Sequence, residues 1–277
     1  MAHRESCRTI FITGTDTGIG KTLVTALLFT HLRENGHHAF ALKPFCTGGR
    51  ADAELLHSLQ DGDLSLEQIN PFYFPEPLAP LVASQKYNHR ITLNQVLGHI
   101  QKVRQKISRK ARDGVLLIEG AGGLLVPLGK GYTWVEVIQK LGCDLLVVAA
   151  NRLGTINHTL LTVRTLQTIR HQQLAVALSS LTDPLKATAD MRSNARIVTD
   201  FLPSIPLFQI PFLGTNPCHF AALKKNGRKL KKTLARILAC YKLSSVASRN
   251  QTDNKKKNKS LTVGAVPIDW TANLTEV

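Results

Sequence analysis

Short apolar runs alternate with longer stretches of helical periodicity along most of this 277-residue chain. We predict strands at the apolar runs 9–13 (TIFIT), 39–43, 115–119, 144–150, 174–180 and 206–210. Helices are predicted over 21–34, 52–59, 92–112, 133–140, 156–170, 187–200 and 220–241. Strands that are apolar throughout and separated by helices are typical of a parallel sheet covered on both faces. The pattern therefore predicts a doubly wound α/β domain with a mostly parallel sheet and helices on both faces.

Two segments fall outside this alternation. Residues 70–80 (NPFYFPEPLAP) contain four prolines, which remove backbone donors and fix φ, so we predict an irregular loop there. Residues 244–277 are rich in Asn, Ser and Lys and show little periodicity, which predicts a disordered tail. The predicted organisation is one domain over residues 1–243 followed by a basic tail over 244–277.

The positive charge lies mainly near the C-terminus. Residues 223–260 contain 13 Lys or Arg and one acidic residue, so they contribute +12 of the net charge of +16. Runs of like charge are usually solvated, and no aromatic residue lies within KKKNK (255–259) to stack on bases. We therefore expect no nucleic-acid partner beyond weak, salt-sensitive contacts of the tail.

The cysteines and the apolar stretches bear on localisation. Five cysteines, without a CxxC pair, argue against a zinc site or a disulfide framework and favour a reducing compartment. MAHRESCR at the start shows no apolar signal region, and the longest apolar runs are too short to cross a bilayer. The sequence predicts a cytoplasmic protein with no membrane partner.

Residues 14–22 (GTDTGIGKT) follow the first predicted strand directly. The usual phosphate-loop pattern has four residues between its first glycine and GKT, whereas Gly14 and Gly20 are separated by five. A glycine-rich turn that merely caps a helix is the alternative. GKT at a strand-to-helix boundary favours a phosphate site, with Lys21 beside the β- and γ-phosphates and the Thr22 hydroxyl near Mg²⁺.

Three charged residues are predicted to lie at the same edge of the sheet as this loop. Glu119 ends a strand and precedes GAGG (120–123), and Asp52 begins a helix after the second strand. Both are candidate metal ligands, although Asp52 alone could equally be a helix cap. Lys43 ends the second strand. It is either a surface lysine with a buried stem or a group that stabilises transition-state charge.

Six motifs occur in an order that resembles the dethiobiotin synthetase family: TGTDTGIGKT, LKPFCTG, NPFYFPEPLAPLVAS, IEGAGGLLVPL, LGTINHTLLT and IPFLGTN. The resemblance covers about residues 9–215, and the family's phosphate loop has the same five-residue spacing. It implies that 7,8-diaminononanoate, CO₂ and Mg²⁺-bound ATP react through a carbamate and a carbamic–phosphoric anhydride. The products would be dethiobiotin, ADP and phosphate.

The resemblance also implies roles for individual residues. The catalytic residues would be Lys43, Lys21 and Thr17, and the Mg²⁺ ligands Thr22, Asp52 and Glu119. The ATP site would comprise Gly18, Ile19, Gly20, Lys21, Thr22, Leu23, Asp52, Glu119, Gly120, Ala121, Gly122, Ser180, Pro211, Phe212 and Leu213. The substrate site would comprise Thr17, Thr47, Gly154, Thr155, Ile156 and Asn157. The last four would reach across the interface of a homodimer.

Two positions differ from the family pattern, and two other classes of P-loop protein are alternatives. Many members have Glu at the position of Gly18, and Asn is frequent at that of Ser180, whose single hydroxyl discriminates less between bases. One alternative is a nucleotide-dependent scaffold or a partition-type ATPase that binds DNA through the basic C-terminus. That class normally has a lysine in its KGGVGKT loop, where this chain has Thr15. A cobyrinate-type amidase normally has an additional glutaminase domain.

Overall fold

The computed structural model describes residues 7–111, 113–186 and 188–243, so the predicted tail lies outside the described residues. In chain order the elements are β1 (Arg8–Gly14), α1 (Lys21–Glu34), β2 (Ala39–Leu42), β3 (Phe45–Thr47), α2 (Ala51–Ser58), α3 (Leu66–Ile69), β4 (Phe72–Phe74), α4 (Pro80–Lys86), α5 (Leu93–Lys110), β5 (Val115–Glu119), α6 (Trp134–Leu141), β6 (Asp144–Ala150), α7 (Thr155–Gln167), β7 (Leu174–Ser179), α8 (Ala189–Phe201), β8 (Leu207–Ile210) and α9 (Phe220–Cys240). A short 3-10 turn lies at Pro184–Lys186. None of the helices in these described segments is long and apolar enough to span a membrane.

Six strands form one sheet in the order β2-β5-β1-β6-β7-β8, and every neighbouring pair is parallel. All residues of β5 and β6 are buried. Burial on both faces explains why these runs are apolar throughout instead of alternating. The predicted doubly wound α/β fold with a parallel sheet is confirmed.

The connections place the helices on two faces of the sheet. After β1 the chain crosses to β2 at one edge of the sheet. The later crossovers, to β5, β6, β7 and β8 in turn, all run towards the opposite edge. Because parallel crossovers are right-handed, α1 lies on one face and α5 to α8 lie on the other. The final helix, α9, packs against α1 and β8. Ligand sites form where the connections diverge, at the carboxyl ends of the strands, which here is the end of β1.

The prediction of a wholly irregular loop over residues 70–80 was wrong. Within it, β4 (Phe72–Phe74) pairs in parallel with β3 (Phe45–Thr47) to make a separate two-stranded sheet. Pro71 and Pro75 lie on either side of the strand, so their missing N–H groups fall outside the paired residues. Pro80 is the first residue of α4, a position where a helix needs no N–H donor.

The buried indole of Trp134 supports the loop that follows β5. Its ring centroid lies 5.1 Å from that of Phe11 and 5.6 Å from that of Phe45. Its Nε1 donates a hydrogen bond of 2.8 Å to the carbonyl of Ala121. The glycine-rich loop over residues 120–123 is therefore anchored to the core at the carboxyl edge of the sheet.

Candidate active site

The loop between β1 and α1 leaves the first N–H groups of α1 available. Gly20 precedes the helix with φ 92°, and no side chain caps it. The N–H of Thr15 donates to the Val148 carbonyl over 3.1 Å, which ties the loop to β6. A Cβ at Gly14 would lie 2.6 Å from Cδ1 of Ile19, so the loop folds closely over a glycine. Unpaired N–H groups at a helix N-terminus form an anion site.

A hydrogen bond links the Lys21 side chain to the backbone of Asp16 in this loop. The Lys21 ammonium donates a 2.6 Å hydrogen bond to the Asp16 carbonyl. The Asp16 carboxylate accepts from the Thr17 N–H over 2.7 Å and from the Arg152 guanidinium over 2.8 Å. Arg152 follows β6, so this ion pair connects the phosphate loop to the segment before α7. Sequence reasoning missed both Asp16 and Arg152, because neither belongs to a spacing that predicts phosphate chemistry.

A cluster of charged residues lies beside the loop, where β2 and β5 end and α2 begins. The Lys43 ammonium donates to Asp52 Oδ2 over 2.9 Å and to Glu119 Oε1 over 2.5 Å. The Thr22 hydroxyl donates to the same Glu119 oxygen over 2.7 Å. Glu119 is wholly buried, and its second oxygen, Oε2, has no hydrogen-bond partner. These distances bring together the four residues that sequence reasoning placed at one edge of the sheet.

The backbone of Lys43 is held at the junction of the two sheets. Its N–H donates to the Ile69 carbonyl over 3.0 Å, and the Asn70 side-chain amide donates to its carbonyl over 2.8 Å. Only Lys43 and Pro44 separate β2 from β3. The surface-lysine alternative for Lys43 is therefore wrong, because its side chain is 6% exposed and paired with two carboxylates.

The pKa values of the two lysines are shifted in opposite directions. Burial, followed by the charge of Lys43, lowers the pKa of Lys21 to about 8. Burial also acts to lower the pKa of Lys43, but the charges of Glu119 and Asp52 outweigh it, so that pKa is raised. Burial acts to raise the pKa of Asp52, and the Lys43 charge reverses the effect and lowers it. Lys43 is therefore a permanent cation at neutral pH, whereas Lys21 titrates in the mildly alkaline range.

A cavity of about 590 Å³ joins the phosphate loop to this cluster. The predicted site residues that line it are Thr17, Gly18, Ile19, Gly20, Lys21, Thr22, Leu23, Lys43, Thr47, Asp52, Ala121 and Gly122. Sequence reasoning gave no role to several other lining residues, which are mostly apolar: Phe45, Cys46, Pro77, Leu78, Ala79, Pro80, Val126, Leu181, Pro217 and Cys218. The cavity lining thus combines polar and charged residues with an apolar stretch at residues 77–80.

The remaining predicted site residues do not line this cavity. Glu119 lies behind it, bonded to Lys43 and Thr22. Also outside the lining are Gly120, Ser180, Pro211, Phe212, Leu213, Gly154, Thr155, Ile156 and Asn157. Ser180 donates its backbone N–H to the Ile210 carbonyl over 2.8 Å. The individual roles of all these residues stay predictions.

Thr22, Asp52 and Glu119 supply oxygen donors of the kind that Mg²⁺ prefers. The unpartnered Oε2 of Glu119 is a further free acceptor beside them. In the described segments no group of three or more His, Cys, Asp and Glu side chains could hold a metal by itself. That is compatible with Mg²⁺, which is commonly held by one or two carboxylates together with substrate phosphates and water.

The sheet and the glycine-rich loop at the end of β1 define a P-loop nucleotide-binding protein. Residues 8–217 match a family model described as an AAA domain. The ATP-dependent dethiobiotin synthetase BioD of Bacillus subtilis (strain 168) is 34% identical over 215 residues, which is 76% of this chain and 87% of the relative. The chain belongs to the dethiobiotin synthetase family.

Further relatives have the same name. BioD of Methanocaldococcus jannaschii is 39% identical over 174 residues, covering 63% of this chain and 80% of the relative. BioD of Anaeromyxobacter sp. (strain Fw109-5) is 41% identical over 164 residues, covering 58% and 71%. A solved ParA family ATPase from Chlorobium tepidum TLS reaches a TM-score of 0.49 at 15% identity, over 82% of this chain and 96% of that chain. That likeness decides nothing about function, and the partition-type alternative has less support than the synthetase.

Proposed function

We propose that this protein is a dethiobiotin synthetase, which uses ATP to carboxylate 7,8-diaminononanoate with CO₂ and to close the ureido ring. The observation that carries the proposal is that one cavity is lined by the phosphate loop, by Lys43 and Asp52, and by an apolar wall, with Glu119 bonded to Lys43 directly behind it. Each part suits one component of the reaction. Family membership supplies the reaction class, and the geometry supports an assignment of its steps.

The phosphate loop would hold the triphosphate of ATP. The N–H groups of residues 18–23 lie at the start of α1, where the helix dipole also favours an anion. The Lys21 ammonium now donates a hydrogen bond to the Asp16 carbonyl. With ATP bound, it would donate to phosphate oxygens instead. Ser180 and residues 211–213 would lie near the base, as the family pattern implies. The single hydroxyl of Ser180 predicts a looser preference among nucleotides than an asparagine would give.

Thr22, Asp52 and Glu119 would hold Mg²⁺. When bound, the ion would neutralise charge on the β- and γ-phosphates. Glu119 suits this role because its buried carboxylate has one oxygen, Oε2, that no hydrogen bond occupies, and carboxylate oxygens are preferred ligands of Mg²⁺. Asp52 is half-exposed on the cavity side, which leaves it accessible to water and phosphate.

The chemistry on the substrate would take place between Lys43 and the apolar wall. One amine of the diamine attacks CO₂ and loses a proton to give a carbamate. A carbamate oxygen then attacks the γ-phosphorus and displaces ADP. The second amine attacks the carbonyl carbon and expels phosphate, which closes the ring.

Lys43 would stabilise the negative charge that develops where carbamate and γ-phosphate meet, a role for which a buried permanent cation is suited. The hydroxyls of Thr17 and Thr47 would orient the carbamate or the free amine. Residues 77–80 form an apolar wall that fits the alkyl chain of the substrate. This wall would also exclude water, which would otherwise hydrolyse the mixed anhydride.

A homodimer would complete the substrate site through Gly154, Thr155, Ile156 and Asn157. Supporting this, Leu153 is 84% exposed and Leu161 is 59% exposed near these residues, and a partner subunit would cover such apolar side chains. Asn157 is also exposed, as a residue that contacts substrate in a partner must be. The five cysteines are free thiols, which supports a reducing, cytoplasmic setting.

A product assay tests this proposal directly. The purified full chain is incubated with 7,8-diaminononanoate, bicarbonate and Mg²⁺-ATP, and dethiobiotin is measured by mass spectrometry alongside released phosphate. We expect one phosphate per dethiobiotin and no phosphate burst without the diamine. Lys86→Ala is the matched control for lysine substitutions, since Lys86 pairs with Glu76 on the surface. A folded, ATP-binding protein that forms no dethiobiotin would refute the proposal, and parallel reactions with CTP and GTP test the role of Ser180.

A further inference from the structure

The Lys43 ammonium lies between the two carboxylates that would bind the metal. Its Nζ is 2.9 Å from Asp52 Oδ2 and 2.5 Å from Glu119 Oε1. The Thr22 hydroxyl, which would be the third metal ligand, bonds the same Glu119 oxygen. One cationic side chain thus bonds both carboxylates that would hold the metal.

We propose that Lys43 and the divalent cation exchange for this carboxylate pair, so that metal binding releases the Lys43 ammonium into the reaction cavity. The proposal rests on the metal assignment in the proposed function. Glu119 Oε1 already accepts from Lys43 and Thr22. An ammonium and Mg²⁺ at that oxygen would repel each other strongly in a buried site.

The Lys43 side chain is long enough to carry its ammonium from the carboxylates towards the centre of the cavity. Lys43 lines the same cavity as Lys21, Thr17 and Thr47, so a rotation of its flexible stem moves the charge from the carboxylates towards the cavity. Its backbone stays fixed by the bonds to Ile69 and Asn70. Lys43 would then be placed for the carbamate and γ-phosphate only after the metal has bound. This makes the carboxylates a holding site that keeps the ammonium paired at the cavity wall until the metal arrives.

Competition by Lys43 weakens metal binding in the absence of nucleotide. The apparent affinity of a ligand falls by the fraction of protein that is competent to bind it. If the ammonium leaves the carboxylates in about one molecule in ten, Mg²⁺ binds about tenfold more weakly than the bare ligands would allow. Removing the ammonium should therefore tighten metal binding, although the same substitution impairs catalysis.

The test measures Mg²⁺ binding to the nucleotide-free full chain by calorimetry and by the shift of the thermal unfolding midpoint. Lys43→Met is expected to bind Mg²⁺ about tenfold more tightly than the wild type, and its unfolding midpoint should rise more on addition of Mg²⁺. Lys21→Met is the matched control, because it removes a cavity cation that bonds no carboxylate. We expect a smaller change in Mg²⁺ affinity for Lys21→Met than for Lys43→Met. Equal or weaker Mg²⁺ binding by folded Lys43→Met would overturn the proposal.

A second measurement uses the wild type alone, in case Lys43→Met does not fold without metal. An amine-reactive reagent is applied with and without Mg²⁺ at matched ionic strength, and modification is quantified at each lysine by mass spectrometry. Mg²⁺ should increase labelling of Lys43 several-fold and leave Lys86 unchanged. Unchanged or decreased labelling of Lys43 would overturn the exchange. Dethiobiotin formation is scored separately, so the synthetase assignment can stand while the exchange fails.

Discussion

Replacing Glu119 by glutamine removes one charge from the buried cluster while keeping the shape of the side chain. The new amide oxygen can still accept from Lys43 and Thr22, which now bond Glu119 Oε1. The amide nitrogen, however, takes the place of Oε2, which has no partner. An unsatisfied buried donor costs about 1–3 kcal/mol, and removing one member of a buried ion pair costs about 3–5 kcal/mol. Because Asp52 still neutralises part of the Lys43 charge, we expect a loss of about 3 kcal/mol.

Urea unfolding of the metal-free protein measures this loss. The buried Trp134 lies close to the site through its bond to Ala121, so its fluorescence is a suitable signal. Glu76→Gln is the control, because Glu76 bonds Lys86 over 2.7 Å on the surface. Its free energy of unfolding should stay unchanged within error. If Glu119→Gln were as stable as Glu76→Gln, the argument from the buried charge would fail. The double variant Glu119→Gln/Lys43→Met should lose less than the sum of the single variants, since both act on one pair.

Three further predictions concern the loop and the lysines. Lys43→Ala should lower turnover by about 100-fold or more while ATP affinity measured by calorimetry changes little; an unchanged steady-state rate would remove Lys43 from catalysis. Because the pKa of Lys21 is lowered to about 8, its amine loses the proton as pH rises through that value. ATP should therefore bind about tenfold more weakly at pH 9 than at pH 7. Lys21→Arg should abolish this pH dependence, and the same pH dependence of ATP affinity in the wild type and the variant would contradict the assignment to Lys21. Gly18→Ala should cost about 1–2 kcal/mol in urea unfolding because φ is +70°, although no atom lies within 4 Å of the new Cβ. Gly49→Ala, which is equally unobstructed and has no positive φ, should cost clearly less, and equal costs would disprove the strain.

The large sheet was predictable because its signals are local. Its strands are mostly buried apolar runs, and each lies within a residue or two of the predicted bounds, as β6 (Asp144–Ala150) shows. The small sheet was not predictable in the same way. Its strands are three residues long and pair in parallel across the intervening α2 and α3. The prolines of residues 70–80 also outweighed the Phe-Tyr-Phe run in the sequence argument, although they only border the strand.

From the sequence, the site could be predicted only as a set of residues at one edge of the sheet. Positions at strand ends placed Lys43, Asp52 and Glu119 together, because parallel strands meet at one edge. That Lys43 bonds both carboxylates depends on side-chain distances of 2.5 and 2.9 Å, which no spacing in the sequence encodes. The link from Asp16 to Arg152 joins residues 136 positions apart. It likewise arises only once β1 and β6 are neighbours.

The two-stranded sheet of β3 and β4 has a consequence for how this enzyme could change its substrate. It ties Thr47 to the segment that leads to the apolar wall, since the Gly48 N–H donates to the Phe74 carbonyl over 3.1 Å. A Cβ at Gly48 would lie 2.8 Å from the Cβ of Pro77, so the two segments are in close contact. Meanwhile, the phosphate loop is built on β1 and α1 of the large sheet. Thr47 and the apolar wall are therefore carried by the small sheet and the phosphate loop by the large one, and the two meet at Lys43. We expect that exchange of residues 44–49 together with 71–80, which keeps Asn70 on the Lys43 carbonyl, changes the apolar wall while the phosphate loop stays as it is.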